Sequence, residues 1–145
     1  MESWPTSGGE AIHTSTFLGN PLSCAAGLAS LGEIKRHDLA ERSASEGERW
    51  MDELRDTLTV HRVVGDVRGR GLLIGIDLVA DPSSREPDPE LAGRVVTRAL
   101  RGGWIVLAGG PAGNVISLSP PLSLSRDLMR AATRMLDEAI GDSTG

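Results

Sequence analysis

The sequence predicts an α+β fold in which helices cover one face of a small, mainly antiparallel sheet. From Val63 onward, the pattern of apolar residues indicates a strand, a helix, two strands and a final helix. This order favours a layered arrangement. Glycine and proline clusters, which end helices and form turns, separate these segments. A chain of 145 residues with 39% hydrophobic content is also large enough to bury a core.

A first helix is predicted ahead of the sheet, from Pro21 to about His37. Asn20 is a favourable N-cap, proline suits the first helical position, and helix-forming residues follow. Free backbone N–H groups at such a helix start attract anions, and the hydroxyls of Ser15 and Thr16 come just before it. The spacing therefore allows two interpretations: a phosphate site, or hydroxyls that only satisfy their own turn.

A second helix is predicted to start at Asp38, which can serve as its N-cap. One face of this helix is apolar at helical spacing, and we interpret it as core rather than a cofactor pocket. Its members are Gly47, Trp50, Met51, Leu54 and Leu58. Val63 to Val79 then reads as a strand region interrupted by glycines, with Leu72 to Leu78 as its most apolar part.

The polar, proline-bearing segment from Asp81 to Pro89 is the clearest break inside the chain. A third helix is predicted from Glu90 to Arg101, ended by two glycines. Its expected apolar contacts are Leu91, Val95 and Leu100.

The last third of the chain predicts two short strands, Trp104 to Leu107 and Asn114 to Leu118, joined by a glycine-rich turn. Ser125 is the expected N-cap of a final amphipathic helix. The apolar stripe of this helix is Leu128, Ala132, Met135, Leu136 and Ile140. From Gly141 onward the chain is expected to fray.

Composition argues against several classes of function. The net charge of −5, with arginines interspersed among acidic residues, gives no basic patch for nucleic acid. No apolar stretch approaches the roughly 20 residues of a membrane span, and the first residues do not resemble a signal peptide, so we expect a cytoplasmic protein. The single Cys24 excludes an internal disulfide, and His13, His37 and His61 are too dispersed to predict a metal site.

Three stretches of the chain carry a family resemblance, and they occur in the family's order. They are TSTFLGNPLSCAA (residues 14–26), VGDVRGRGLLIGIDLV (64–79) and NVISLSPPLSLS (114–125). Together they resemble the C-terminal portion of class III pyridoxal-phosphate (PLP) aminotransferases. The resemblance implies an α/β fold-type I PLP transferase, with residues 1–37 ending the large PLP-binding domain and residues 38–145 forming the C-terminal small domain.

The resemblance also implies a cofactor contact and an obligate homodimer. In this family the threonine before the aromatic residue and GNP reaches the cofactor phosphate of the other subunit. Thr16, assisted by Ser15, is the matching position. The Schiff-base lysine and the acidic partner of the pyridine nitrogen lie upstream of this segment in the family. The one lysine here, Lys35, has the pattern of a solvated helix end, so we predict no catalytic residue and an inactive isolated chain.

A departure from the family pattern affects substrate recognition. Ser117 stands where many relatives have an arginine, in a pattern like R-x-x-P-P-L, that receives the substrate carboxylate. Loss of such a charged contact would weaken carboxylate recognition by about 1.5 to 3 kcal/mol. Either the substrate is an amine without that carboxylate, or another arginine supplies the contact. Arg68 is a candidate substitute, and its alternative role is an ion pair or a solvent-facing position.

Two classes of function follow from these observations. In the first, the chain is a segment of an aminotransferase that needs its large domain to move an amino group from an amine or amino acid to a 2-oxo acid. In the second, it is a non-catalytic binding or assembly module. Apolar faces left exposed on the helices Pro21–His37 and Asp38–His61 would then dock on a partner.

Overall fold

The computed structural model describes residues 19–144, and the chain divides after His37 into two units. The first unit contains helix α1, Pro21–Arg36. Its start is as predicted: the Asn20 side chain accepts hydrogen bonds from the backbone N–H groups of Leu22 and Ser23 at 3.0 and 3.1 Å. None of the residues of α1 is buried, and its leucines are exposed.

The second unit has the predicted α+β architecture. In chain order its elements are α2 (Leu39–Leu58), β1 (Val64–Arg70), β2 (Leu73–Asp81), β3 (Glu86–Pro87), α3 (Pro89–Arg101), β4 (Leu107–Gly109), β5 (Val115–Leu118) and α4 (Arg126–Gly141). The sheet order is β1-β2-β5-β4, with the short β3 beside β2, and all neighbours are antiparallel.

The core lies between one face of this sheet and the three helices of the unit. Alternate strand residues supply the sheet side, among them Val67, Ile74, Ile76, Ile116 and Leu118. The predicted apolar face of α2 meets them, since Trp50, Met51, Leu54 and Leu58 are all buried. The interpretation of this face as core is confirmed.

The region from Val63 to Val79 is a hairpin rather than one interrupted strand. Gly71 begins the two-residue turn between β1 and β2 with a φ of +56°, a conformation that favours glycine. The turn packs directly on α2: a Cβ placed on Gly47 would lie 2.2 Å from the carbonyl carbon of Gly71. Gly47 and Gly71, which are distant in the sequence, therefore allow the backbone of α2 to contact the backbone of the β1–β2 turn.

Three helix details differ from prediction. Asp38 occupies the N-cap position of α2, but it has a φ of +46° and its side chain makes no capping bond. In α3, Leu100 is 61% exposed and Ala99 is buried, because Ala99 continues the four-residue spacing of Leu91 and Val95. In α4 the buried stripe is rotated, so that Met129 is buried and Leu128 is half exposed.

The connecting segments are also better ordered than the sequence predicts. Within the segment from Asp81 to Pro89, β3 pairs with β2, so this loop does not separate two parts of the unit. Strand β4 lies nearer the turn than predicted, because Gly110 and Gly113 adopt positive φ and form the reversal. Beyond Gly141 the chain stays bound, with the buried Ser143 hydroxyl donating to the Ala139 carbonyl at 2.6 Å.

A two-pronged ion pair joins α2 to the start of α4. The Arg126 Nε and Nη2 atoms donate to the two carboxylate oxygens of Glu46 at 2.7 and 2.5 Å. Glu46 is buried, and the hydrogen bond from Arg126 holds the pKa of its carboxyl below the usual range.

We expect the stability contributed by this pair to be lost in acid. A carboxyl whose pKa is lowered on folding stabilises the protein above its ordinary pKa of 4.5, and this contribution disappears as pH falls through the lowered value. Urea unfolding should therefore show a larger free energy of unfolding for the wild type than for Glu46→Gln at neutral pH. This difference should disappear in acid. Glu48→Gln, at an exposed position of α2, is the control, and a difference that stays constant with pH would contradict the prediction.

Candidate functional site

The outer face of the sheet, opposite the core, carries both candidate substrate residues in one transverse row. Arg68 of β1 faces Gly75 of β2, Gly75 faces Ser117 of β5, and Ser117 faces Leu107 of β4. Directly opposed residues of antiparallel strands project to the same side of a sheet. We call this set the Ser117 row. The register therefore brings together two residues that lie far apart in the sequence.

Ser117 is half-buried, between Ile116 and Leu118 of the core. Gly75 separates it from Arg68 and contributes no side chain to the row. A Cβ placed on Gly75 would lie 3.1 Å from the Val115 side chain, a tight contact. The Val115 side chain therefore crowds the space beside Gly75.

Arg68 is paired with two carboxylates on the same face of the sheet. Its Nη1 atom donates to Asp66 Oδ2 at 3.2 Å and also to Asp77 Oδ2. The hydrogen bonds that Arg68 donates, first to Asp77 and then to Asp66, raise the pKa of its guanidinium. The other carboxylate oxygen of Asp77, Oδ1, is buried and has no hydrogen-bond partner within residues 19–144. The cluster thus contains one cation and two anions.

An apolar cleft of about 300 Å³ lies next to Ser117, at the end of β5. Trp104, Ile105, Pro120 and Met135 are among the residues that line it. The segment that follows Ser117 is fixed from α2, because the Arg42 guanidinium donates to the carbonyls of Leu122 and Leu124. Arg42 therefore holds the turn that leads out of the row.

The predicted cofactor contacts Ser15 and Thr16 lie outside the described residues. At the start of α1, the N–H groups expected to attract an anion are already used. Those of Leu22 and Ser23 donate to the Asn20 side chain, and that of Cys24 donates to the Asn20 carbonyl. The bonds from Leu22 and Ser23 are those of an ordinary N-cap, and the bond from Cys24 is the first i→i−4 bond of the helix.

Lys35 and two of the histidines, the remaining candidates, have contacts typical of residues that stabilise a fold. Lys35 is exposed in the last turn of α1, where a cation complements the helix dipole. His37 lies 3.3 Å from Glu33, and His61 lies 2.6 Å from Asp137. Within the part of the chain that the structure describes, no group of three potential ligands could hold a metal ion. Every helix there is too short or too polar to cross a bilayer.

Comparison with known proteins identifies the family. The sequence model of the aminotransferase class-III family matches residues 1–140. The chain belongs to the class III aminotransferases. This confirms the resemblance inferred from the three ordered stretches, and it assigns the small antiparallel sheet and its helices to a portion of that fold.

Individual class III relatives match nearly the whole of this chain. An ethanolamine-phosphate phospho-lyase homolog from Caenorhabditis elegans is 38% identical over 92% of the chain, which covers 29% of the relative. A 4-aminobutyrate aminotransferase from Mycobacterium leprae is 39% identical over 88% of the chain and 28% of the relative. The crystal structure of a Bacillus anthracis aminotransferase matches 94% of the chain and 32% of its own length, with a TM-score of 0.83 and 34% identity. The chain therefore spans about three-tenths of the length of these relatives.

The sequence analysis did not identify the residues that surround Arg68, or the residue that holds the turn after Ser117. Asp66 and Asp77 pair with Arg68, and Arg42 binds the carbonyls after Ser117. Part of the signal was available, because Asp66 and Arg68 are two residues apart in a predicted strand and so share a face. The contribution of Asp77 depends on the hairpin register, which was not predicted.

Proposed function

We propose that this chain is the C-terminal part of a PLP-dependent aminotransferase that moves an amino group from an amine or amino acid to a 2-oxo acid. The observation that carries the proposal is the match to the class III family over residues 1–140, at about three-tenths of the length of the relatives. The proposed activity also requires the remaining portion of such a relative, which contains the large domain.

We propose that residues 1–37 end the large PLP-binding domain and that residues 38–145 form the small domain. The exposed leucines of α1 support a role for that helix in packing on further protein, because Leu22, Leu28 and Leu31 are 80%, 70% and 57% exposed. The corresponding expectation for the second helix was wrong. The apolar face of α2 is buried in the core of its own unit.

The described residues do not fit the whole cofactor. PLP chemistry needs a lysine amine in a desolvated site, and Lys35 is exposed on α1. No step of the reaction is therefore assigned to Lys35. When bound in the complete enzyme, PLP supplies the electron sink for amino-group transfer. The proposed contribution of this chain is contact with the cofactor phosphate through Ser15 and Thr16, and contact with substrate through Ser117 and Arg68.

Absorption spectroscopy tests this proposal. Lysine-bound pyridoxal absorbs in the visible range, and the isolated chain should give no saturable band of this kind. The chain joined to its large domain should give a stoichiometric band that an amino donor removes and a 2-oxo acid restores. A stoichiometric band in the isolated chain, lost in Lys35→Ala, would contradict our assignment of Lys35. Because the relatives include a phospho-lyase, the products must also be identified as an exchanged amine and acid.

We propose that the complete enzyme is a homodimer in which Thr16 contacts the cofactor phosphate of the other subunit. Thr16→Val should then weaken cofactor affinity by about 1.5 to 3 kcal/mol, the usual contribution of a hydrogen bond to a charged group. The affinity is measured by titrating the cofactor-free dimer with PLP.

The matched control for this measurement is Thr97→Val on the exposed side of α3, where the hydroxyl donates to the Gly93 carbonyl. Equal PLP affinity in wild type and in a dimeric Thr16→Val enzyme would refute the phosphate contact. A monomeric enzyme with full activity would refute the proposed dimer.

We also propose a cytoplasmic location for the protein. Fractionation of cells that express the protein tests this location.

A further inference from the structure

We infer that the free edge of β4 is a docking site for an extended, uncharged and apolar segment from the remaining portion of the enzyme. The segment pairs with β4 as an added strand and inserts an apolar side chain into the neighbouring cleft. We call residues 104–109, together with that cleft, the β4 docking site. The inference rests on the proposed function, since it assumes that the chain is part of a longer enzyme.

The first step concerns the backbone of β4. Within residues 19–144, Leu107, Ala108 and Gly109 pair with β5 on one side, and β4 is the last strand in the order β1-β2-β5-β4. The three residues before β4 belong to no helix or strand, so they prolong the same edge. Backbone N–H and C=O groups on an unpaired edge bind an extended segment by ordinary strand pairing. The edge therefore offers the contacts that an added strand requires.

The second step concerns the side chains along this edge. Ile105 is 84% exposed and Leu107 is 66% exposed, whereas Val106 between them is buried. The apolar cleft of about 300 Å³ is lined by Ile105 and Leu107, and by Trp104 and Met135 among others. Exposed apolar side chains beside an apolar cleft are typical of a surface that other protein covers. An apolar side chain of the added segment would be buried in this cleft.

The third step concerns charge, which decides the chemistry of the occupant. Residues 102–125 contain no Asp, Glu, Lys, Arg or His, although 24% of the residues of the chain are charged. A charged side chain that docked along this segment would lose water without gaining a counter-ion from it. The occupant is therefore uncharged where it faces β4 and the cleft.

The fourth step concerns the source of the occupant. The chain covers 29% and 28% of the two relatives and 32% of the Bacillus anthracis aminotransferase, so about seven-tenths of an enzyme of that length lies outside it. A segment joined to the chain is present at high effective concentration, so a few backbone hydrogen bonds keep it bound. A second copy is a poorer occupant, because two strands of three residues bury far less than the roughly 1,200 Å² of a stable complex.

Cross-linking identifies the occupant in the complete enzyme, which is this chain joined to its large domain. Ile105 is replaced by the photo-crosslinking amino acid p-benzoylphenylalanine, and the products are mapped by mass spectrometry. We expect a cross-link to an uncharged apolar segment outside residues 1–145. The same replacement at Leu100, 61% exposed on α3 and next to Arg101, is the control and should give little product.

A cross-link from position 105 to residues 1–18, or to β4 of a second copy, would overturn the inference. Absence of any cross-link from position 105 would overturn it as well. Equal yields from positions 105 and 100 would show that capture at β4 is not specific, which is also contrary to the inference.

Hydrogen exchange tests whether the occupant pairs as a strand. The backbone amides of residues 105–109 are compared between the 145-residue chain, diluted until it is monomeric, and the complete enzyme. We expect the amides that are not bonded to β5 to exchange roughly 10-fold or more slowly in the complete enzyme. Equal exchange rates in the two proteins, whether both fast or both slow, would overturn the inference.

Leu107→Lys tests the apolar character of the docking site. In the isolated chain this position is exposed, so the Tm should stay within about 2 °C of the wild type. In the complete enzyme the lysine would be covered by an apolar segment, and the Tm should fall by about 5 °C or more. Leu100→Lys is the matched control and should have a small effect in both proteins. An equally small effect of Leu107→Lys in the complete enzyme would contradict the inference.

Failure of this inference is distinguishable from failure of the proposed function. A complete enzyme that exchanges amino groups but leaves the β4 amides unprotected would overturn only the inference. A complete protein with protected β4 amides and the expected cross-link, but with no visible cofactor band and no exchange of amine and 2-oxo acid, would overturn only the proposed function.

Discussion

Replacement of Gly47 with alanine is expected to destabilise the second unit by about 3 kcal/mol, because the added methyl group overlaps backbone atoms. A Cβ at this position would lie 2.2 Å from both the carbonyl carbon and the carbonyl oxygen of Gly71. Flexible side chains can rotate away from such a clash, but a backbone turn cannot. Helix α2 and the β1–β2 hairpin would have to separate, which also disturbs the buried side chains on both.

The control for Gly47→Ala is Gly93→Ala in α3. A Cβ on Gly93 would meet no atom within 4 Å, so only the intrinsic preference for alanine in a helix applies. This control should gain roughly 0.5 to 1 kcal/mol. Urea unfolding of the two variants and the wild type measures both values. A Gly47→Ala protein as stable as the Gly93→Ala protein would mean that the two backbones are not in contact.

Truncation of Leu91 to alanine is expected to cost about 2 to 5 kcal/mol, the range for a fully buried leucine. The Leu91 side chain is 1% exposed, at the start of α3 where that helix meets the core. The lost methyl groups leave a cavity that the surrounding residues fill only in part. The free energy of unfolding from urea titration, with the slope checked for two-state behaviour, gives the cost.

Leu100→Ala provides the matched comparison on the same helix. Leu100 is 61% exposed, so its truncation should change stability by no more than about 0.5 kcal/mol. Equal losses at the two positions would contradict the orientation of α3.

These two leucines also show where prediction from the sequence succeeds and where it fails. The helix itself was predicted from its apolar residues and the two glycines that end it, and α3 begins and ends within one residue of the prediction. Leu100 was predicted to be an apolar contact, although it lies on the opposite side of the helix from Leu91 and is exposed. Spacing was the better guide, because helical geometry decides which side chains can face the sheet.

The hairpin and the candidate site depended on contacts between distant residues, which one sequence does not reveal. The glycines at 47 and 71 were both noted, but nothing in the local pattern indicates that they touch. Arg68 and Ser117 were proposed separately as substrate residues. Their common row follows from the β1-β2-β5 register, and that register depends on the turn at Gly71.

The two edges of the sheet differ in how they would behave if this chain were produced alone. Strand β1 carries charged side chains along its outer face, at Asp66, Arg68 and Arg70, and charges of this kind discourage strand-to-strand association. Strand β4 is short, but it begins with the exposed Leu107, and the exposed Ile105 lies two residues before that. Self-association of the isolated chain should therefore begin at β4, and a lysine at position 105 or 107 should be the simplest way to keep the protein monodisperse.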